Sequence, residues 1–567
     1  MEHEKKWWHN AVIYQVYPSS FYDTNNDGIG DIRGIIEKLP YIVSLGVNMI
    51  WLNPIFSSPN DDNGYDISDF YGIMPSFGTM ADVEELIAKA HAMGIKILFD
   101  LVMNHTSDEH PWFIESRKSK ENAHRDFYIW QDGKNGEKPT NWEGFFGGSV
   151  WEKNAQTDDY YLHLFSKKMP DLNWQSKNLR QAIYDVANFW AEKGVDGLRL
   201  DAIIHIAKNM DFPQGVNTTN RPYVLADQHY ANLPQVHTYM KEFHQKVLAG
   251  GNILTVGEAS TAGVKEALQY SDPKNKEFNM IISFQQLSLD YDHSITHVPP
   301  KWTQKKMDLV EFKKVMQNWQ LGLYEKGWNT LYWNNHDMPR VVSRFGDEGV
   351  YHIQSAKMLA TLMYLQWGTA FILQGEEIGM LNADFTKLTD YRDVEVFTLY
   401  EETVTKAGYS DTEIMQRIKN RCRDNARTPM QWDATANGGF SAGVPWIGVN
   451  NNYHLLNVEA QEQNPDSILN YYRSIIKLKT GNACFIYGEF TLLLANDPSI
   501  YAYTRSNSTG IYTIICNFTG ELQTTAELFE VSIQKKLLGN YENITTADGK
   551  LCLRPYEALV FFQDFIV

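Results

Sequence analysis

Three carboxylates stand at the ends of short apolar segments, where they could share one pocket. Asp201 ends the segment that begins at Gly197, Glu258 ends the segment that begins at Ile253, and Asp337 follows a third. Carboxylates held close together repel one another, so one pKa rises and one group stays protonated near neutral pH. An ionised and a protonated carboxyl serve as nucleophile and general acid in glycoside hydrolysis. One such residue could merely cap a helix, whereas three together predict a glycosidase.

Eight short apolar segments could be the strands that position these groups. Each is apolar on both faces and bounded by polar residues, which is typical of parallel strands covered by helices. Amphipathic segments such as Met80–Met93 and Leu179–Lys193 lie between them, and Tyr351–Trp367 predicts a buried helix. The alternation predicts an α/β fold, a (β/α)₈ TIM barrel with catalytic groups at the C-terminal ends of its strands. The predicted strands are Ala11–Tyr17, Val47–Leu52, Ile95–Val102, Gly197–Asp201, Ile253–Gly257, Met280–Phe284, Asn329–Trp333 and Ala370–Leu373.

Two regions depart from this alternation. Residues 105–174 are aromatic and rich in glycine and asparagine, and they predict a subdomain inserted after the third strand, over the barrel mouth. Residues 484–567 change to short strands separated by turns, which predicts a C-terminal antiparallel β-sandwich domain. The catalytic barrel is then expected over residues 1–104 and 175–483.

Composition excludes several classes of protein. The 567 residues include 51 Lys+Arg and 69 Asp+Glu, a net charge of −18, and 43% are hydrophobic. This balance is typical of globular chains and excludes disordered or fibrous ones. The acidic charge disfavours nucleic acid and anionic membranes as partners, since both are bound by clustered Lys and Arg. The many aromatic residues fit a large core or platforms for sugar rings.

Cysteine usage and the N-terminus predict a cytoplasmic protein. The four cysteines show no CxxC spacing, which disfavours a zinc site and a disulfide framework. The first ten residues lack the apolar core of a signal peptide, and no run of about eighteen apolar residues occurs. The oligomeric state is left open, with a monomer favoured.

Several ordered segments resemble the α-amylase superfamily, glycoside hydrolase family 13. Within it, the chain looks like the bacterial oligo-1,6-glucosidase and α-glucosidase group, and the resemblance covers nearly the whole chain. It implies a retaining exo-enzyme that releases glucose from the non-reducing end of maltose- or isomaltose-type substrates. The segments that carry it are Ala11–Pro18, Asp100–His105, Met169–Asn173, Gly197–Asp201, Val256–Glu258, Asn334–Asp337 and Arg423–Trp432.

The resemblance also implies a role for each site residue. Asp201 would be the nucleophile, Glu258 the acid/base, and Asp337 the residue that binds and distorts the reacting sugar. Among the substrate-binding residues, Arg199 would orient the nucleophile, and two histidines would donate to sugar hydroxyls. One tyrosine would stack under the ring, and an aspartate and a second arginine would close the pocket. The histidines are His105 and His336, the tyrosine is Tyr65, the aspartate is Asp66 and the second arginine is Arg427.

The segment Asp23–Asp31 predicts a structural calcium site. Oxygen-bearing side chains recur at every second residue, with Gly28 available for a turn, as in the first half of an EF-hand loop. A complete EF-hand is not expected, because its second half is missing, and a solvated acidic turn is the alternative. The resemblance implies Ca²⁺ bound by the side chains of Asp23, Asn25, Asp27 and Asp31 and by the carbonyl of Ile29.

Two departures from the family pattern bear on specificity. Ala202 follows the nucleophile where α-1,6-specific relatives tend to carry valine, and Met169 stands where they usually show glutamine. Activity on α-1,4 or other links is therefore expected. A transglucosidase, a trehalose-6-phosphate hydrolase or a sucrose hydrolase would share the same chemistry. A non-catalytic transporter subunit of the superfamily is a remote alternative, since such relatives carry a membrane span and lack the carboxylates.

Overall fold

Eight parallel strands form the barrel at the centre of the molecule. The computed structural model describes residues 5–134, 136–217, 221–525 and 535–565. Numbered along the chain, the barrel strands lie side by side in the order 6-5-4-3-2-1-8-7. Their bounds are Val12–Val16, Met49–Leu52, Lys96–Val102, Gly197–Asp201, Leu254–Glu258, Met280–Ile282, Thr330–Leu331 and Thr369–Leu373. The predicted TIM barrel is confirmed.

Both faces of the barrel strands are largely buried. Every residue of the first and fourth strands is buried, as expected for a parallel sheet enclosed by helices. The seventh strand contains only Thr330 and Leu331, fewer residues than predicted. The Thr330 hydroxyl donates to the carbonyl of Ile281 at 2.9 Å, so a side chain links the sixth and seventh strands.

Helices surround the barrel, and several begin at a side-chain cap. Asp31, Thr79 and Ser176 accept backbone N–H groups at the starts of their helices, which satisfies donors that would otherwise be unpaired. Further helices lie in the connecting segments. The helices packed around the barrel are Ile32–Ser44, Met80–Ala92, Lys177–Glu192, Pro234–Phe243, Val264–Ser271, Leu309–Leu323, His352–Tyr364 and Ile468–Thr480, and the further ones are Pro111–Ser116, Val341–Phe345, Val394–Tyr400, Asp411–Arg421, Asp424–Arg427, Val458–Glu462 and Ala483–Tyr487.

Antiparallel sheets occupy the two regions that depart from the alternation. A small sheet after the third barrel strand contains Trp130–Gln131, Asp159–Leu162 and Trp151–Asn154. At the C-terminus, the predicted antiparallel sheets are confirmed. Arg505 there is fully buried and donates to the carbonyls of Leu365 and Phe485, which ties the sheet to the barrel. The C-terminal strands are Glu489–Leu493, Ile500–Asn507, Gly510–Asn517, Ala558–Asp564 and Lys535–Gly539 in one sheet, and Gln523–Thr524, Lys550–Leu553 and Thr545–Ala547 in a second.

Candidate active site

The barrel brings the three carboxylates to one pocket. Asp201 is the last residue of the fourth strand, Glu258 is the last residue of the fifth, and Asp337 follows the seventh. All three line a cavity of about 250 Å³ at the C-terminal ends of the strands. The parallel topology accounts for this convergence, because it places all the C-terminal strand ends at one mouth.

One buried guanidinium group holds two of these carboxylates. Arg199, which is 1% exposed, donates from Nη1 to Asp201 Oδ1 at 2.5 Å and from Nη2 to Glu258 Oε2 at 2.5 Å. Its Nη1 also contacts Asp100 Oδ1 at 2.6 Å. A single planar cation therefore fixes the spacing and orientation of Asp201 and Glu258.

The two carboxylates differ in proton affinity. Burial raises the pKa of Asp201 to about 6, against the opposing charge of Arg199. Burial raises the pKa of Glu258 further, to about 8. Because they share Arg199 and interact, these values describe the pair. Near neutral pH the pair therefore holds one proton, and the larger rise in pKa at Glu258 favours that carboxyl as its site.

Asp337 stays ionised beside this pair. Burial alone would raise its pKa, but the neighbouring His336 and the guanidinium groups of Arg423 and Arg427 hold it well below the usual range. Arg427 Nη2 donates to Asp337 Oδ1 at 3.1 Å, and His336 Nε2 lies 3.2 Å from Oδ2. Asp337 is thus a fixed negative charge in the pocket wall.

His336 and Tyr65 form a stacked pair in the wall. Their ring centroids are 5.1 Å apart, and the ring planes differ by 2°. Gln15 Nε2 lies 2.8 Å from His336 Nδ1, and an amide nitrogen can only donate, so His336 carries its proton on Nε2. Burial lowers the pKa of His336 to about 3, which keeps the ring neutral. The Tyr65 hydroxyl donates to Asp100 Oδ2 at 3.0 Å, which anchors the ring.

His105 also lines the pocket. Its Nδ1 is 3.2 Å from Asn104 Nδ2, and its Nε2 is buried without a hydrogen-bond partner in the described structure. Burial lowers the pKa of His105 to about 4, so the ring is neutral. With Nδ1 accepting from the amide, Nε2 carries a proton that can be donated to a ligand hydroxyl.

The closed end of the pocket differs from the expectation for Asp66 and Arg427. The Asp66 carboxylate accepts from Ser58 Oγ and from the backbone N–H groups of Asp61 and Asp62, so it holds a loop outside the pocket lining. Arg427 lies behind the wall, where it contacts Asp337 and donates to the carbonyl of His336 at 3.0 Å.

Asp62 and Arg423 stand in the wall instead. Arg423 Nη2 contacts Asp62 Oδ1 at 2.8 Å, and both residues line the cavity. Arg423 lies within the sequence segment that carried the family resemblance, and Asp62 is only four residues from Asp66. The sequence therefore identified the right two segments. The conformation of each loop decides which of its charged residues faces the pocket.

Sequence reasoning also missed most of the pocket's outer wall. Aromatic side chains, two cations and a carboxylate complete the lining around the catalytic residues. Most lie in loops, whose sequences have no hydrophobic periodicity from which a conformation could be predicted. The consecutive Phe145 and Phe146, followed by two glycines, nevertheless indicate one such loop. The missed residues include Phe145, Phe146, Phe165, Phe284, Tyr291, Lys301, Glu395 and Arg421, together with His205, Ser260, Met338 and Pro339.

Ala202 lies in the wall next to the acid/base. Its backbone N–H donates to Glu258 Oε2 at 3.2 Å. Its φ is 47°, in the left-handed region that β-branched residues avoid. The side chain is 6% exposed and lines the cavity.

The Asp23–Asp31 loop lies away from the pocket lining and is ordered by its own side chains. Asp23 Oδ2 accepts from the N–H of Gly28 at 2.8 Å, and Asp27 Oδ1 accepts from the N–H of Ile29 at 2.9 Å. Asp23 and Asp31 are each 4% exposed, and neither forms an ion pair with a described Lys or Arg. The all-oxygen set of side chains is of the type that binds a hard cation such as Ca²⁺, while the two buried carboxylates are already satisfied by N–H and O–H donors. Nevertheless, no group of three or more acidic, His or Cys side chains in the described ranges is gathered closely enough to hold a metal ion.

Similarity to known proteins agrees with this geometry. The family model "Alpha amylase, catalytic domain" matches residues 15–488. The chain is 48% identical to an oligo-1,6-glucosidase of Parageobacillus thermoglucosidasius, covering 98% of this chain and 99% of that one. It is 46% identical to an alpha-glucosidase of Pediococcus pentosaceus, with the same coverages. A solved trehalose-6-phosphate hydrolase of Bacillus licheniformis superimposes with a TM-score of 0.92 at 42% identity, over 98% of this chain and 100% of that one.

None of the described helices has both the length and the apolar composition needed to span a membrane.

Proposed function

The chain belongs to the α-amylase family, glycoside hydrolase family 13, and we propose that it is a retaining exo-acting α-glucosidase. Its substrates would be short neutral α-glucosides of the maltose and isomaltose type, cut at the non-reducing end. The observation that carries this proposal is the pair Asp201 and Glu258 on one guanidinium, with a single proton between them near pH 7.

In the first step, an oxygen of the Asp201 carboxylate attacks the anomeric carbon. Glu258 gives its proton to the glycosidic oxygen, the bond from the anomeric carbon to that oxygen breaks, and the leaving group departs as an alcohol. A glucosyl ester of Asp201 remains. Arg199 keeps Asp201 oriented and favours its ionised form.

In the second step, the ionised Glu258 takes a proton from water. The water oxygen attacks the anomeric carbon, the ester bond breaks, and Asp201 returns to a carboxylate. Two inversions at one carbon give net retention of the α anomer. The fixed charge of Asp337 faces the positive charge that develops on the sugar in both steps, which stabilises each transition state.

An ion pair in the pocket wall supports exo attack. Asp62 and Arg423 pair at 2.8 Å in the wall, where each could also hold hydroxyls of the terminal glucose. His105 Nε2 offers a further donor. Removing one glucose at a time is the expected outcome of such a site.

Ala202 supports activity beyond α-1,6 links. Its small side chain leaves room beside the leaving group for a secondary-hydroxyl aglycone. A valine there would narrow this space and would also strain the backbone at φ 47°. We expect Ala202→Val to shift the kcat/KM ratio toward isomaltose over maltose by roughly 10–200-fold. Ala202→Ser, which adds no branch at Cβ, is the matched control, and an unchanged ratio in the valine variant would remove Ala202 as the selector.

The cations of the pocket disfavour a phosphorylated substrate. Each of the three in the lining is already paired: Lys301 contacts Glu395, Arg421 binds Asp290, and Arg423 binds Asp62 and Asp393. A phosphate would have to break one of these buried pairs, which costs several kcal/mol. A neutral disaccharide is therefore favoured over trehalose 6-phosphate. Transglucosylation shares the same ester and is the second candidate.

A panel of disaccharides tests the proposal. We expect glucose release from maltose and isomaltose, and much weaker cleavage of sucrose and trehalose 6-phosphate. Product chromatography at high substrate concentration would show whether trisaccharides form by transfer. Preference for trehalose 6-phosphate, or no release of glucose from any neutral α-glucoside, would overturn it.

A structural calcium ion is also proposed at Asp23–Asp31. The ion would be held by Asp23, Asn25, Asp27 and Asp31 and by the carbonyl of Ile29, and would stabilise the fold without entering the reaction. At a Ca²⁺ concentration a hundredfold above Kd, the bound ion should add roughly 2.7 kcal/mol to the free energy of unfolding. Chelation should remove this contribution. An unfolding midpoint that is the same with chelator and with Ca²⁺ would refute the site.

A reducing, cytoplasmic compartment is proposed as well. The four cysteines are all unpaired and buried, which supports it.

A further inference from the structure

A second and larger cavity lies beside the catalytic pocket. Its volume is about 1250 Å³, against about 250 Å³ for the catalytic cavity. Residues 302–309 and the helix Asp411–Arg421 supply one part of its lining, and residues 518–523 of the C-terminal β region supply another. We call this cavity the C-terminal groove. Arg421 lines both cavities, so the two are neighbours.

The C-terminal groove carries positive charge in a strongly acidic chain. Among the described residues, five Lys and Arg side chains and three carboxylates line it, although the whole chain has a net charge of −18. Asp290 is held by two guanidinium groups at once, with Arg344 Nη2 2.6 Å from Oδ1 and Arg421 Nη1 2.7 Å from Oδ2. Glu413 pairs with Arg417 at 2.9 Å. The groove therefore has an excess of positive charge, which attracts anions.

Two consecutive lysines supply the positive charge that is available to a ligand. Lys305 and Lys306 are exposed and line the groove, and neither forms an ion pair or a side-chain hydrogen bond with a described residue. Glu521, the third carboxylate of the lining, is exposed on the part that comes from the C-terminal region. Two ammonium groups match the charge of a phosphate monoester, which is close to −2 near neutral pH.

A chain of three amide side chains continues from these lysines. Gln416 Nε2 donates to Asn420 Oδ1 at 3.0 Å, and Asn420 Nδ2 donates to Gln304 Oε1 at 3.3 Å. This direction leaves Gln304 Nε2 as a donor and Gln416 Oε1 as an acceptor, and neither atom has a partner in the described part of the chain. Sugar hydroxyls both donate and accept, so they suit the two ends of this chain.

Aromatic side chains give the groove an apolar surface as well. Phe518 and Tyr556 both line it and are half-buried. The Tyr556 ring packs on Tyr351, with centroids 6.0 Å apart, and the Tyr556 N–H donates to the carbonyl of Thr519 at 2.9 Å. These contacts fix the position of the ring. An aromatic surface suits the apolar face of a pyranose.

We propose that the C-terminal groove is a second binding site, and that its ligand is a phosphorylated monosaccharide. The phosphate would lie on Lys305 and Lys306, and the hydroxyls would contact the free ends of the amide chain. This inference goes beyond the proposed α-glucosidase function, because the site takes no part in the reaction. The catalytic pocket offers no comparable place for a phosphate, since each cation in its described lining already contacts a carboxylate.

Isothermal titration calorimetry with glucose 6-phosphate tests the site. Lys305→Gln/Lys306→Gln should weaken binding on the order of tenfold or more, because two charge-assisted contacts are lost. Lys274→Gln/Lys276→Gln is the matched control: it removes the same charge from two exposed lysines outside the groove and should leave Kd within about twofold. Glucose and inorganic phosphate should each bind on the order of tenfold more weakly than glucose 6-phosphate, since each makes only part of the contacts.

Three calorimetric results would overturn the proposal. They are no binding of glucose 6-phosphate to the unaltered chain, equal binding to Lys305→Gln/Lys306→Gln, and inorganic phosphate binding as tightly as the sugar phosphate. Unfolding midpoints of both double variants show whether the fold is retained.

Kinetics on p-nitrophenyl α-glucoside separates the groove from the catalytic pocket. Without glucose 6-phosphate, Lys305→Gln/Lys306→Gln should keep kcat/KM within about twofold, because these lysines lie outside the catalytic lining. If glucose 6-phosphate raised KM equally in this variant and in the unaltered chain, the ligand would occupy the catalytic pocket and the groove would not be its site. The calorimetric test does not depend on catalysis, so a failure of the proposed function is distinguishable from a failure of this site.

Discussion

Asp201 and Glu258 form one pair of carboxyl groups in the barrel, and Glu376 and Glu377 form another; of these four residues, only the first two are among those that line the pocket. Asp201 and Glu258 share the guanidinium of Arg199 at the cavity wall. Glu376 and Glu377 follow the eighth strand and form no ion pair with a described Lys or Arg. Burial raises the pKa of Glu258 and of Glu376 alike, each to about 8. A raised pKa therefore does not by itself identify a reacting group, and access to a ligand is also required.

Neutral donors replace the arginine in the second pair. Tyr14 and Tyr41 donate to Glu377 Oε1 at 2.6 and 2.7 Å. Tyr472 donates to Glu376 Oε1 at 3.0 Å, and Tyr364 contacts the same oxygen. These hydroxyls come from separate parts of the chain, so the second pair ties the barrel together. Neutral hydroxyl donors stabilise a buried carboxyl group. Unlike a guanidinium shared by two carboxyls, they do not determine which of the two holds a proton.

The largest expected contrast is in activity. Asp201→Asn removes the nucleophile and should lower kcat/KM on the order of 10⁴–10⁶-fold. Glu376→Gln should leave kcat/KM within about threefold, because it touches neither the pocket nor Arg199. Steady-state kinetics on p-nitrophenyl α-glucoside measures both. If Glu376→Gln lost activity as Asp201→Asn does while its unfolding midpoint stayed the same, the distinction between the two pairs would be wrong.

A second contrast concerns stability as a function of pH. Burial raises the pKa of Glu376 to about 8 in the folded protein, from an ordinary value of about 4.5, so the folded state binds more protons than the unfolded state between these pH values. The corresponding stabilisation is complete below about pH 4.5 and is lost as the pH rises through 8, by an amount on the order of 5 kcal/mol. Glu376→Gln imitates the protonated form and should flatten this dependence.

Urea unfolding at pH 5, 7 and 9 checks the stability contrast. The difference in unfolding free energy between Glu376→Gln and the unaltered chain should move in favour of the variant as the pH rises. A difference that stays constant across the three values would contradict the raised pKa. Glu258→Gln should flatten the dependence in the same direction, since its carboxyl is raised by the same cause.

The smallest contrast is in the pH–rate profile. The catalytic pair predicts a bell-shaped profile, with activity lost below about pH 6 as Asp201 becomes protonated and above about pH 8 as Glu258 loses its proton. Each limb should approach tenfold per pH unit. Glu376→Gln should leave both limbs in place within a few tenths of a unit, as measured by kcat/KM from pH 4 to 10. A shifted alkaline limb in that variant would show that the two pairs are coupled.

The first pair could be predicted from sequence, and the second could not. Asp201 and Glu258 end apolar strands, and a parallel barrel places such ends together. Glu376 and Glu377 also follow a strand, but their partners include Tyr472 and Tyr41 respectively, whose helices pack against the barrel only in the folded chain.

Asp62 and Arg423 were missed for a related reason. Loop conformation, which has no periodicity, decides that they face the pocket rather than Asp66 and Arg427. The boundaries at residues 104, 174 and 483 remain predictions.

The most direct test of the separate roles of Asp201 and Glu258 traps the glucosyl ester on Asp201. In Glu258→Gln, α-glucosyl fluoride still forms the ester, since fluoride leaves without a proton, but the general base for hydrolysis is gone. We predict that mass spectrometry of a peptic digest finds one glucosyl group on the peptide that contains Asp201, and that Asp201→Asn/Glu258→Gln carries none. A glucosyl group on another peptide, or none on the single variant while fluoride is released, would contradict the assignment of Asp201 as nucleophile and Glu258 as acid/base.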